Sequence, residues 1–81
     1  MKRLSPPEQL GQRVRELRLL RGWSQEELGA QCGIDRTYVS GVERGVRNPT
    51  LDVADRLAKA LETTLPKLIE AAERMRTGKI Q

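Results

Sequence analysis

The chain has 81 residues, which is enough for one domain with a modest core. Its net charge of +4 favours a polyanionic partner, although charge alone does not separate DNA, RNA and membrane surfaces. Histidine is absent, the single Cys32 cannot form an internal disulfide, and no nucleophile–base pair or metal-ligand spacing is evident. These features argue against an enzyme, a metal site and a cofactor. With no signal peptide or membrane-spanning run, we expect a cytoplasmic protein that does not bind membranes.

The first predicted helix begins at residues 5–8, where the sequence is Ser-Pro-Pro-Glu. Ser5 suits the N-cap position, Pro6 the first helical position, and Glu8 completes a capping box. Gly22 provides the stop signal. The apolar stripe of this helix is predicted to consist of Leu10, Val14, Leu17 and Leu20.

Two short helices are predicted next. Residues 24–27 form a second capping box, and Gly33 ends this helix after about two turns. Asp35 caps the third helix, which ends at Gly45 and directs Val39 and Val42 inward.

The last two predicted helices follow a loop at residues 46–49. Thr50 caps helix four, and its apolar stripe comprises Leu51, Ala54, Leu57, Ala58 and Leu61. Helix five covers about residues 65–75, with a stripe of Leu65, Leu68, Ile69, Ala72 and Met75. The sequence therefore predicts a single all-α domain over residues 1–81.

Residues 24–45 have the features of a helix-turn-helix motif, which reads DNA. The turn requires a residue that tolerates positive φ, and Gly33 meets that requirement. The close approach of the two helices requires a small residue, and either Gly29 or Ala30 satisfies it. Apolar anchors follow at the expected spacing: Leu28, Ile34, Val39 and Val42. The alternative, two short helices that pack without binding DNA, would not require all these features together.

Two stretches resemble the phage-repressor (Cro/CI, or XRE) family: SQEEL at residues 24–28 and YVSGVERG at residues 38–45. DRTYVSGVER at residues 35–44, followed by Arg47 and Asn48, is particularly similar to the controller proteins of restriction–modification systems. The resemblance implies a five-helix lambda-repressor-like domain that binds double-stranded DNA. It also implies that Gln25 contacts phosphate, that the loop with Arg47 and Asn48 acts as a phosphate clamp, and that Arg18 pairs with Glu43.

The N-terminal residues of helix three are expected to enter the major groove, and Arg36 can donate twice to guanine. The alternative for Arg36 is a solvated residue at the helix start, where the helix dipole does not favour arginine. Thr37 suits a base or phosphate contact, or a plain surface position. Tyr38 and Ser40 could reach the DNA backbone or base edges, and Tyr38 could instead pack against the scaffold. Arg44 is either a phosphate contact or a charge that complements the helix dipole. The predicted base-reading set is Arg36, Thr37, Tyr38, Ser40 and Gly41, where glycine would let the helix lie close to DNA.

Helix five, with the end of helix four, is also predicted to form a two-fold dimer interface, because one recognition helix covers few base pairs. Leu65 and Leu68 are expected to seal the domain in part, which leaves Ile69, Ala72 and Met75 for a partner copy. The rival interpretation assigns the whole stripe to the core.

The sequence thus predicts a homodimeric transcriptional regulator that acts on a pseudo-palindromic operator, with a restriction–modification controller as the candidate that the resemblance favours. The alternative is an autoregulatory antitoxin with a protein toxin as its second partner. The operator, the regulated gene and the sign of regulation do not follow from these residues.

Overall fold

The computed structural model describes residues 4–68, and within them every regular element is helical. The helices are α1 (Pro6–Leu20), α2 (Gln25–Cys32), α3 (Arg36–Glu43) and α4 (Leu51–Ala60), and residues 65–68 form a fifth helical segment. The all-α prediction is confirmed. No helix within residues 4–68 has the length and apolarity needed to cross a membrane.

The helix starts follow the predicted capping chemistry. The Ser5 hydroxyl accepts from the backbone N–H of Glu8, whose carboxylate accepts from the N–H of Ser5 at 2.8 Å. Ser24 and Glu27 repeat this reciprocal arrangement at α2. These bonds satisfy N–H groups that a helix start otherwise leaves unpaired, so they fix where α1 and α2 begin.

One core joins the helices. Its fully buried members come from each helix and from the segment after α4: Val14, Leu28, Val39, Val42, Leu57, Ala58, Leu61 and Leu68. Cys32 is also buried there, and burial raises the pKa of its thiol, with the nearby Arg56 charge acting in the opposite direction. Cys32 is therefore a small core residue.

Two predicted core positions are wrong, because Leu20 is 80% exposed and Leu51 is 77% exposed. On α1 the inward position one turn after Val14 is Arg18, four residues on, whereas Leu20 lies on a different side of the helix. Leu51 is the first residue of α4, one turn before the buried run that begins at Ala54.

Candidate nucleic-acid interface

The turn between α2 and α3 has the geometry that the sequence predicted. Gly33 has φ +69°, and the N–H of Ile34 donates to the carbonyl of Gly29 at 2.9 Å. A Cβ on Gly29 would lie 2.6 Å from the Ile34 carbonyl oxygen, so only glycine fits without movement. Gly29 rather than the exposed Ala30 is therefore the small residue at the close approach.

The N-terminus of α3 presents polar side chains to solvent. The Asp35 carboxylate caps the helix by accepting from the N–H of Thr37 at 2.7 Å. This hydrogen bond lowers the pKa of Asp35, and a hydrogen bond from the Thr37 hydroxyl and the charge of Arg36 act in the same direction, so the cap is ionised at neutral pH. Arg36 and Thr37 are exposed and line a shallow concavity with Ser40. Arg36 forms no hydrogen bond or ion pair with any residue that the structure describes, so its donors face solvent.

Arg47 lies over α3 rather than extending freely from its loop. Its guanidinium carbon is 4.8 Å from the centre of the Tyr38 ring, within the range of a cation–π contact. The Gly41 carbonyl accepts from the backbone N–H groups of Val46 and Arg47, at 3.0 and 3.2 Å. These contacts attach the loop after α3 to the helix itself.

The predicted role of Gly41 as a point of close approach to DNA needs correction. Gly41 is buried, and a Cβ there would lie 3.3 Å from the Cβ of Arg47. The missing side chain therefore makes room for Arg47. Tyr38, half-buried against the core, has the scaffold role that was one of its two predicted alternatives, and it also supports Arg47.

The remaining predicted contacts lie around the end of α3. The Arg44 Nε donates to the Ser40 hydroxyl at 3.3 Å, and Arg44 is the C-cap of α3, where its charge complements the helix dipole. Asn48 is exposed in the loop beside Arg47.

Arg18 and Glu43 form the ion pair that the resemblance implied. The Arg18 Nε and Nη2 donate to the two Glu43 oxygens at 2.7 and 3.0 Å, and the side chains are 9% and 3% exposed. The hydrogen bond to Glu43 raises the pKa of the Arg18 guanidinium, against the effect of burial. Arg18 also donates to the Trp23 carbonyl at 2.7 Å, and the Gln25 amide donates to Glu43 Oε1 at 3.1 Å. This network joins α1, α2 and α3 behind the predicted DNA-facing surface.

Only some of the predicted dimer residues lie within residues 4–68, which the structure describes. Leu68 is 1% exposed and belongs to the core, which agrees with its expected part in sealing the domain and leaves almost none of its surface for the dimer contact also predicted for it. Leu65 is half-buried. Ile69, Ala72 and Met75 lie outside the described residues.

Two contacts had no signal in the sequence. Arg21 donates to the Leu61 carbonyl at 3.0 Å and to Glu62 at 2.8 Å. The support of Arg47 by Tyr38 was the other, because it depends on how the loop after α3 folds back. Within residues 4–68, no group of three or more His, Cys, Asp or Glu side chains could hold a metal ion.

Known proteins resemble this chain at the level of sequence. A hypothetical transcription factor from Neisseria meningitidis is 47% identical over 60 residues, which are 74% of this chain and 57% of that protein. The control protein C.BamHI from Bacillus amyloliquefaciens is 48% identical over 52 residues, covering 63% of this chain and 64% of that protein. The match thus spans less than two thirds of either relative.

The solved structure of the restriction–modification controller protein C.AhdI from Aeromonas hydrophila superimposes with a TM-score of 0.74 at 48% identity. The match covers 76% of this chain and 94% of the controller protein. A family model described as helix-turn-helix matches residues 14–68, which include the capped turn, the exposed start of α3 and the Arg18–Glu43 pair. The chain therefore belongs to the XRE-type helix-turn-helix family, and restriction–modification controller proteins are among its relatives.

Proposed function

We propose that this chain is a sequence-specific, DNA-binding transcriptional regulator of the controller type, which acts as a homodimer on a pseudo-palindromic operator. The observation that carries the proposal is the exposed start of α3, where the Arg36 side chain forms no hydrogen bond or ion pair with any described residue. The family membership and the controller relatives support the same function.

In the proposed complex the start of α3 enters the major groove, which is wide enough for an α-helix. Arg36 donates two hydrogen bonds to O6 and N7 of one guanine, the commonest specific contact to a base. Thr37, beside it, contacts a thymine methyl or a phosphate. Ser40 lies in the same concavity and completes the groove-facing surface.

Phosphate contacts position the protein, whereas base contacts specify the sequence. Gln25 at the start of α2 and Arg47 and Asn48 in the loop after α3 are proposed as the phosphate contacts, with Arg44 as a further contact. The Arg47 guanidinium is already held over Tyr38, so it loses less side-chain entropy on binding than a free arginine would.

The proposed dimer places two copies of α3 roughly 34–36 Å apart, one helical turn of DNA. Ile69, Ala72 and Met75 are proposed as the core of its interface, with the half-buried Leu65 at the edge. A two-fold interface needs a self-complementary patch, and an apolar stripe on one helix can provide one.

The DNA-reading role is tested by selecting bound sequences from random DNA and then measuring affinity for the selected site and for random DNA. Arg36→Ala should cost about 1–3 kcal/mol on the selected site and relax the preference at one guanine. Arg47→Ala should weaken both complexes and reduce the salt slope by about one phosphate contact. Arg15→Ala, at an exposed position on α1, removes the same charge and is the matched control. Equal weakening of both complexes by Arg36→Ala would reassign Arg36 to phosphate.

The dimer is tested by sedimentation of wild type and Ile69→Asp, with circular dichroism as the control for folding. We expect a wild-type dimer, and a folded Ile69→Asp monomer with much weaker operator binding. A wild type that remains monomeric at high micromolar concentration, or an Ile69→Asp variant that remains dimeric, would exclude this interface.

A further inference from the structure

The Glu43 carboxylate bonds to residues from two other helices at once. Its Oε2 accepts from Arg18 Nε at 2.7 Å, and its Oε1 accepts both from Arg18 Nη2 at 3.0 Å and from Gln25 Nε2 at 3.1 Å. The Glu43 side chain is only 3% exposed, so these donors replace water around a buried charge. Gln25 is the first residue of α2 and is half-buried.

We propose that Glu43, held by Arg18, is a positioning residue that orients the Gln25 side chain for contact with a DNA phosphate. The proposal rests on the proposed function and extends it to residues behind the DNA-facing surface. A glutamine amide has two N–H donors, and Glu43 occupies one of them. The second N–H then has a fixed direction.

Two physical effects favour this arrangement. A free glutamine loses rotamer freedom when it binds, whereas an amide already fixed by a carboxylate has lost that freedom during folding. In addition, the carboxylate alone would repel a phosphate, but the bidentate contact with Arg18 neutralises its charge. Arg18 therefore both holds the Glu43 carboxylate in place and reduces its repulsion of a nearby DNA phosphate.

The test compares the cost of Gln25→Ala in two backgrounds, wild type and Arg18→Met with Glu43→Met. The double background keeps the net charge, since one charge of each sign is removed. Gln25→Ala should weaken binding to the selected DNA site about tenfold in wild type, the size of one good hydrogen bond, and less than about twofold in the double background. Arg36→Ala serves as the control and should cost the same factor in both, which shows that α3 still docks.

The outcomes separate the inference from the proposed function. An equal loss from Gln25→Ala in both backgrounds would mean that the Arg18–Glu43 pair has only a structural role, and the inference would be wrong. No loss in wild type, with the Arg36→Ala effect intact, would also overturn it while leaving the DNA-reading function in place. Failure of the wild type to select any DNA sequence would refute the proposed function itself.

A second measurement uses wild type alone, so it does not depend on the folding of the double variant. In 15N-labelled protein, one side-chain amide proton of Gln25 should exchange slowly because it is bonded to Glu43. On titration with the selected DNA, the other proton of the same amide should shift most. If both protons exchange as fast as those of an exposed glutamine, Glu43 does not orient Gln25 and the inference is wrong.

Discussion

Replacing either Arg18 or Glu43 alone should destabilise the fold more than replacing both residues together. Removal of one partner from a buried ion pair costs about 3–5 kcal/mol, because the surviving charge remains buried without its partner. A domain of this size has a total stability of about 4–12 kcal/mol, so either single substitution removes a large fraction of it. The midpoint of thermal unfolding should fall by at least about 12 °C.

The contacts also predict which single substitution is worse. After Arg18→Met, the Glu43 carboxylate, 3% exposed, keeps only the neutral Gln25 amide as a donor among residues 4–68. After Glu43→Met, the Arg18 guanidinium keeps the Trp23 carbonyl at 2.7 Å and is slightly more exposed, at 9%. Arg18→Met should therefore be the more destabilising of the two.

The assay is urea unfolding of four proteins: wild type, the two single variants and the double variant with methionine at both positions. The double variant should lie within about 1.5 kcal/mol of wild type, because no charge is stranded and the flexible side chains fill similar volumes. The prediction would be wrong if the double variant were less stable than the worse single variant. It would also be wrong if the loss of unfolding free energy in the double variant equalled the sum of the two single losses.

Three further substitutions test local features of the chain. Gly29→Ala should lower the free energy of unfolding by about 1–3 kcal/mol in urea titrations, since its Cβ would lie 2.6 Å from the Ile34 carbonyl oxygen; an unchanged midpoint would contradict the close approach. The lowered pKa of Asp35 stabilises the fold above the ordinary carboxyl pKa, and this stabilisation is lost as the pH falls through the lowered value. Asp35→Asn, which keeps a capping side chain, should therefore lose less stability than wild type on acidification, and parallel curves would be inconsistent with this role. Glu62 has φ +56°, so Glu62→Gly should raise stability by about 1 kcal/mol in thermal unfolding, because relief of the left-handed conformation outweighs the loss of an exposed contact with Arg21; a lowered midpoint would contradict this.

The elements of the fold could be predicted because their signals are local. Ser5 and Ser24 each precede a glutamate by three residues, and the bonds of a capping box span only that distance. Gly33 likewise marks a backbone conformation that its own residue type permits. Leu20 and Leu51 could not be placed in this way, because their exposure depends on where the other helices pack.

The candidate site was less predictable, because its parts depend on contacts between elements. The exposed Arg36 follows from the cap at Asp35 and the start of α3, both of which are local. The predicted role of Gly41 was wrong because a glycine in a recognition helix can make room either for DNA or for another part of the protein. Only the fold of the loop shows that Arg47 occupies that space.

The contacts of Arg47 give the site a property that no single predicted residue has. A proposed phosphate contact, Arg47, rests on Tyr38 and over Gly41, both of which belong to the helix proposed to read bases. The loop is further tied to α3 through two backbone bonds to the Gly41 carbonyl. Because both side-chain and backbone contacts join the loop to α3, the two should move together when either one shifts along DNA. In the proposed complex, correct placement of Arg47 on the DNA backbone therefore also fixes how far Arg36 extends into the groove, which links the affinity of the protein to its specificity.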